Sequence, residues 1–79
     1  MEKVAKWLRR LTNELEPFIS KERLQFITEE LEAAEYGVVF DLILYLRSEH
    51  NVPVSDEFRN EAEFCSNQMR IDISRYLPA

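Results

Sequence analysis

The chain has 79 residues, with ten Lys+Arg against fifteen Asp+Glu and a formal net charge of -5. Hydrophobic residues are 46% of it and charged residues 32%, the balance of one small globular domain. One glycine and three prolines exclude a flexible linker, a turn-rich all-β protein and a Gly-rich phosphate loop. One cysteine and one histidine exclude an internal disulfide and supply too few ligands for a zinc site, so no metal or cofactor is expected.

No apolar run reaches the roughly 18 residues that cross a bilayer. The opening Met-Glu-Lys-Val-Ala-Lys-Trp mixes charge into its apolar residues and does not read as a signal peptide. The expectation is one cytoplasmic, soluble, acidic domain over residues 1–79, with no membrane partner.

Helical periodicity runs through the chain. Val4, Trp7, Leu8, Leu11 and Leu15 recur at steps of three and four, with Lys3, Lys6, Arg9, Arg10 and Asn13 off that stripe. The spacing predicts a helix over 2–15, ended by Pro17. Ser20 is a candidate cap for a second helix over 21–34, whose stripe is Leu24, Ile27, Leu31 and Ala34. That helix is expected to stop before Gly37, the only glycine, where a positive φ would turn the chain.

Residues 38–46 are apolar almost all round. Such a run suits a buried strand or a buried helix. No second strand-like segment exists to pair with it, and a lone strand leaves its backbone unsatisfied. The prediction is therefore a central buried helix over 36–49. Ser55 then caps a fourth helix over 56–69, with Asp56 and Glu57 in its first turn and Phe58, Ala62, Cys65 and Met69 as its stripe. A last short turn over 72–77 points Ile73 and Leu77 inward and is stopped by Pro78. The fold class is all-α: a compact bundle of four helices plus a short C-terminal helical turn, with short connectors favouring antiparallel neighbours.

Charge is placed unevenly. Residues 1–28 carry +2, residues 29–63 carry -8 and residues 64–79 carry +1. The acidic excess forms two clusters, Glu29, Glu30, Glu32 and Glu35 near the end of helix two, and Asp56, Glu57, Glu61 and Glu63 on helix four. Asp56 and Glu57 suit a helix N-terminus. The first cluster lies where the helix dipole disfavours negative charge, so a cationic partner is the simplest reason for it. Nucleic acid is not the expected partner, because the one basic cluster is Lys3, Lys6, Arg9 and Arg10 on helix one.

Catalytic chemistry is sparse. Cys65 falls on an apolar stripe and reads as a buried thiol; His50 sits near a helix C-terminus. Fifteen carboxylates could supply acid–base pairs, so their presence is unspecific. The expectation is no enzyme. Asp41, the charge inside the most apolar helix, lies on an exposed edge, pairs with an arginine or meets a partner. Tyr36 and Tyr45 are expected to flank that edge.

The segment Leu31-Glu32-Ala33-Ala34-Glu35-Tyr36-Gly37-Val38-Val39-Phe40-Asp41-Leu42-Ile43, followed by Val52-Pro53-Val54-Ser55, resembles small bacterial immunity proteins of the MafI type and related immunity proteins of contact-dependent growth inhibition systems. The resemblance covers about residues 24–70. Val38, Val39 and Phe40 are bulkier than the small residues that often follow the glycine there. It implies a cytoplasmic protein that binds a cognate toxin domain, often a nuclease and in some relatives an EndoU-type ribonuclease. An acidic helical surface would then face the toxin's basic cleft. The expected partner-binding residues are Glu29, Glu32, Glu35, Tyr36, Asp41, Asp56 and Glu57. The alternatives are a non-catalytic adaptor or homodimer using spare aromatics such as Phe26, Phe40 and Phe64, and a nucleic-acid regulator acting through Lys6, Arg9 and Arg10.

Overall fold

A computed structural model gives the architecture and describes residues 2–74, 76 and 77. Four helices follow in order: α1 Glu2–Leu15, α2 Lys21–Glu32, α3 Tyr36–Glu49 and α4 Asp56–Met69, with a short 3₁₀ turn at Glu16–Phe18. The all-α bundle is as expected, and no strand occurs among the described residues.

The neighbours can be read from side-chain pairs. Trp7 meets Phe40, Glu14 meets Arg47 and Phe18 meets His50, so α1 and α3 run the same way. Arg47 lies on Phe58 while Gly37 approaches Ile71, so α4 runs back along α3. The connector of residues 33–35 turns α2 antiparallel to α3. The result is an up-down-up-down bundle. Backbones come closest among α1, α2 and α3; α4 stands farther off and reaches the core through Phe58, Ala62 and Cys65.

Burial follows most of the predicted stripes, but Ala34 of the α2 stripe is exposed, and Leu24 and Met69 are only half-buried. Val4, Trp7, Leu8, Leu11 and Leu15 of α1 are all buried, as are Ile27 and Leu31 of α2 and Phe58, Ala62 and Cys65 of α4. In α3, Val39, Phe40, Ile43, Leu44 and Leu46 complete the core. Phe40 was expected among the spare aromatics, yet it is 0% exposed and packs edge to face on Trp7, with centroids 5.5 Å apart. The period of α3 is nearly apolar on every side, so only tertiary packing selects its inner face.

Local chemistry sets the boundaries. The Ser20 and Ser55 hydroxyls accept the backbone N–H of Arg23 and Phe58, capping α2 and α4. Helix α2 ends two residues short of the predicted 34. The left-handed residue that closes it is Ala34, at φ 60°, not Gly37. The Glu35 N–H donates to the Glu30 carbonyl and the Ala34 N–H to that of Leu31, a Schellman closure. Asn51 at φ 54° and Arg70 at φ 57° close α3 and α4 in the same region. Gly37 instead lies in the first turn of α3, where a β-carbon would meet the Ile71 Cδ1 at 3.4 Å. That is an ordinary van der Waals distance, and Gly37 has no positive φ. An alanine in the left-handed region is strained, so Ala34→Gly is expected to stabilise the protein by about 1 kcal/mol, read as a higher urea midpoint at unchanged slope.

After α4 the chain makes a hydrogen-bonded turn, in which the N–H groups of Tyr76 and Leu77 donate to the Ile73 carbonyl. Ile73 and Leu77 are buried, as predicted. Pro78, the expected stop, lies outside the described residues.

Candidate functional site

The first acidic cluster lies at the turn from α2 into α3. Glu29 and Glu32 are in the last turns of α2, Glu35 precedes α3 and Tyr36 begins it. Glu29, Glu32 and Glu35 are exposed, whereas Tyr36 is half-buried against the core. Glu29 accepts a hydrogen bond from the Gln25 Nε2 at 3.0 Å. No basic residue occupies the last turn of α2 to offset these charges against the helix dipole.

Asp41 is exposed on the open edge of α3 and no salt bridge among the described residues pairs it with an arginine. Val38, Asp41, Tyr45 and Glu49 recur at steps of three and four and form that edge. The Tyr45 hydroxyl donates to the Glu49 carboxylate. That bond, then the Glu49 charge, then desolvation raise the phenol above its ordinary pKa, while Arg23 of α2 opposes them. The Arg23 charge therefore lies near Tyr45, and Phe26 shares a face of α2 with Glu29 and Glu30, three and four residues on.

Three large apolar side chains therefore stand open among the carboxylates. Phe26 is 47% exposed, Val38 45% and Tyr45 46%. Phe26 was foreseen as a spare aromatic and Tyr45 as a flank of Asp41. Val38 was not singled out, although its place three residues before Asp41 puts it on the same edge.

Asp56 and Glu57 do not join this face. They open α4, beyond the far end of α3, and the 14 residues of α3 span about 21 Å. Both are exposed. Of their cluster, Glu61 accepts a 2.8 Å bond from Arg10 Nη2, and that bond leads the causes holding the Arg10 pKa up, with the Glu57 charge as a smaller contributor. The second cluster thus serves the α1–α4 contact and the α4 N-terminus. No salt bridge among the described residues engages Glu29, Glu30, Glu32, Glu35 or Asp41, and of the second cluster only Glu61 has one.

One buried charge escaped the sequence reading. Arg47 is 7% exposed, in the core stripe of α3. Its guanidinium lies 3.9 Å over the Phe58 ring, pairs with the Glu14 Oε1 at 3.5 Å and donates to the Pro53 carbonyl at 3.2 Å. Burial pulls its pKa below the ordinary arginine value, and Glu14 opposes this. Its spacing from Ile43 and Leu44, four and three residues, was the available signal.

Cys65 and His50 are not brought together. Cys65 is buried in α4, and desolvation raises its thiol pKa. His50 is exposed at the end of α3, with its ring 6.0 Å from that of Phe18. No metal-ligating group of three or more His, Cys, Asp or Glu occurs among the described residues, and no helix there is long and apolar enough to cross a membrane. What the α2–α3 face offers is negative charge, open acceptors and aromatic surface, which is the chemistry for recognising a cationic protein surface. Comparison with family models, curated proteins and solved structures finds no match to this chain.

Proposed function

We propose that the protein is a bacterial immunity protein that binds a basic toxin domain through its α2–α3 face and inhibits it stoichiometrically. The observation that carries this reading is the group of open carboxylates without salt-bridge partners at the end of α2 and on the edge of α3, near Phe26, Val38 and Tyr45. Carboxylates at a helix C-terminus cost stability, so a role in recognition accounts for them where helix formation does not. A nuclease must display cations to hold phosphate, and this face supplies charge of the opposite sign. The resemblance around Glu35-Tyr36-Gly37 points to the same class, with an EndoU-type ribonuclease as the leading toxin and the cytoplasm as the place of encounter. Glu29, Glu32, Glu35, Tyr36 and Asp41 make the central contacts; Asp56 and Glu57, at the other end of α3, contact only a partner broad enough to reach them. The protein itself acts by binding, not by catalysis.

A homodimer or adaptor using the same apolar patch is the competing reading. A two-fold dimer through this face would set its carboxylates against their own copies, and like charges across an interface are repulsive. That asymmetry favours a cationic partner. The test is calorimetric titration with the proposed cognate toxin domain, at increasing salt. A 1:1 complex that weakens as salt rises is expected. Combined Glu29→Lys, Glu32→Lys and Glu35→Lys should weaken it about a hundredfold or more. No complex at low salt, or an affinity indifferent to the three reversals, would overturn the proposal.

A further inference from the structure

A second surface, sharing no residue with the α2–α3 face, lies between α1 and α4. Because the α4 backbone stands off from α1, a groove of about 600 Å³ remains between them. On the α1 side it is lined by Lys3, Lys6, Trp7 and Arg10, whose steps of three, one and three place them on one helix face. On the α4 side lie Glu61, Phe64 and Cys65.

The groove has a directional build. Trp7 and Cys65 are buried and form an apolar floor, while Phe64 stands exposed as a wall. The Arg10–Glu61 bond at 2.8 Å closes one end. At the other, the Lys3 Nζ lies 4.7 Å over the Phe64 ring. Lys6 is held only by Glu2 at 3.8 Å, and both side chains are open to solvent, so that pair is weak. Two cations therefore stand at the mouth of an apolar trough in a chain whose net charge is -5. The Trp7 indole N–H is itself buried and meets no acceptor among the described residues, a donor whose pairing would be favourable.

We propose that this groove binds an alkyl-chain carboxylate, with its chain along Trp7, Phe64 and Cys65 and its headgroup held by Lys3 and Lys6. The shape argues for a chain, because the trough runs between two helices for about 10 Å along α1 from Lys3 to Arg10. Charge complementarity argues for an anionic head. The raised pKa of the buried Cys65 thiol keeps the floor neutral. Pockets of this size, mostly apolar with a few placed polar groups, are of the class that holds small ligands.

Trp7 is the only tryptophan, so the floor carries its own reporter. The experiment titrates the whole protein with decanoate below its micelle-forming concentration and follows Trp7 fluorescence. A saturable change at one decanoate per chain is expected, with decanol, the same chain without charge, binding about tenfold more weakly or worse. The double variant Lys3→Glu, Lys6→Glu should bring decanoate down to the affinity of decanol and leave decanol unchanged. Phe64→Ser should weaken both. All three positions are exposed, and helical circular dichroism of each variant checks that it folds. A response that does not saturate, equal binding of decanol and decanoate, or unchanged decanoate binding by the lysine double variant overturns the proposal.

Discussion

Phe40→Ala is expected to leave the protein largely unfolded at 25 °C. Phe40 is fully buried at the meeting of α3 with α1, and its ring sits edge to face on Trp7, which lies 5.8 Å from Phe58. Truncation removes both the transfer free energy of the ring and the contacts around it, about 3–5 kcal/mol. A domain of this length holds only several kcal/mol of net stability, and it has neither a disulfide nor a metal cluster among the described residues to compensate. Urea unfolding followed by far-ultraviolet circular dichroism measures the loss. A cost below about 1 kcal/mol would mean that Phe40 is not at the centre of the core.

Arg47→Ala is expected to cost about 2–4 kcal/mol, and Arg47→Met distinctly less. The guanidinium covers Phe58 and bridges Glu14 to the connector carbonyl of Pro53. Alanine removes the stem, the stacking and the bridge together. Glu14 is half exposed, so losing its partner leaves it solvated, which keeps the cost at the lower end for a broken buried pair. Methionine refills the volume over Phe58 and needs no desolvated charge. Thermal melts of the two variants separate packing from charge: equal losses would show that the ion pair, not the buried stem, dominates.

The helices were legible because their signals are local. Ser20 and Ser55 precede apolar stripes and cap as serines do, and the stripe of α1 is buried residue for residue. Three features were not legible. The left-handed closure of α2 falls on Ala34 and not on glycine, so the residue preference for that conformation pointed to the wrong position. Phe40 could not be placed because α3 is apolar nearly all round and its periodicity has no direction. Arg47 is buried because Phe58, Glu14 and Pro53 converge on it from three separate segments. For the candidate surface, the exposure of Glu29 and Glu32 followed from their places off the apolar stripe of α2; that of Asp41 did not, because α3 has no one apolar stripe to set it against. The separation of Asp56 and Glu57 did not, since counting charge along the chain ignores the rigid length of α3 between them.

Amide shift mapping tests the central claim most directly. The ¹⁵N-labelled protein is titrated with the proposed cognate toxin domain, and the perturbed amides are placed on the bundle. Shifts concentrated between Phe26 and Glu49, along the end of α2 and the edge of α3, are the predicted result. Shifts centred on α1 and the α1–α4 groove, or none at saturating partner, would contradict recognition through the open carboxylates.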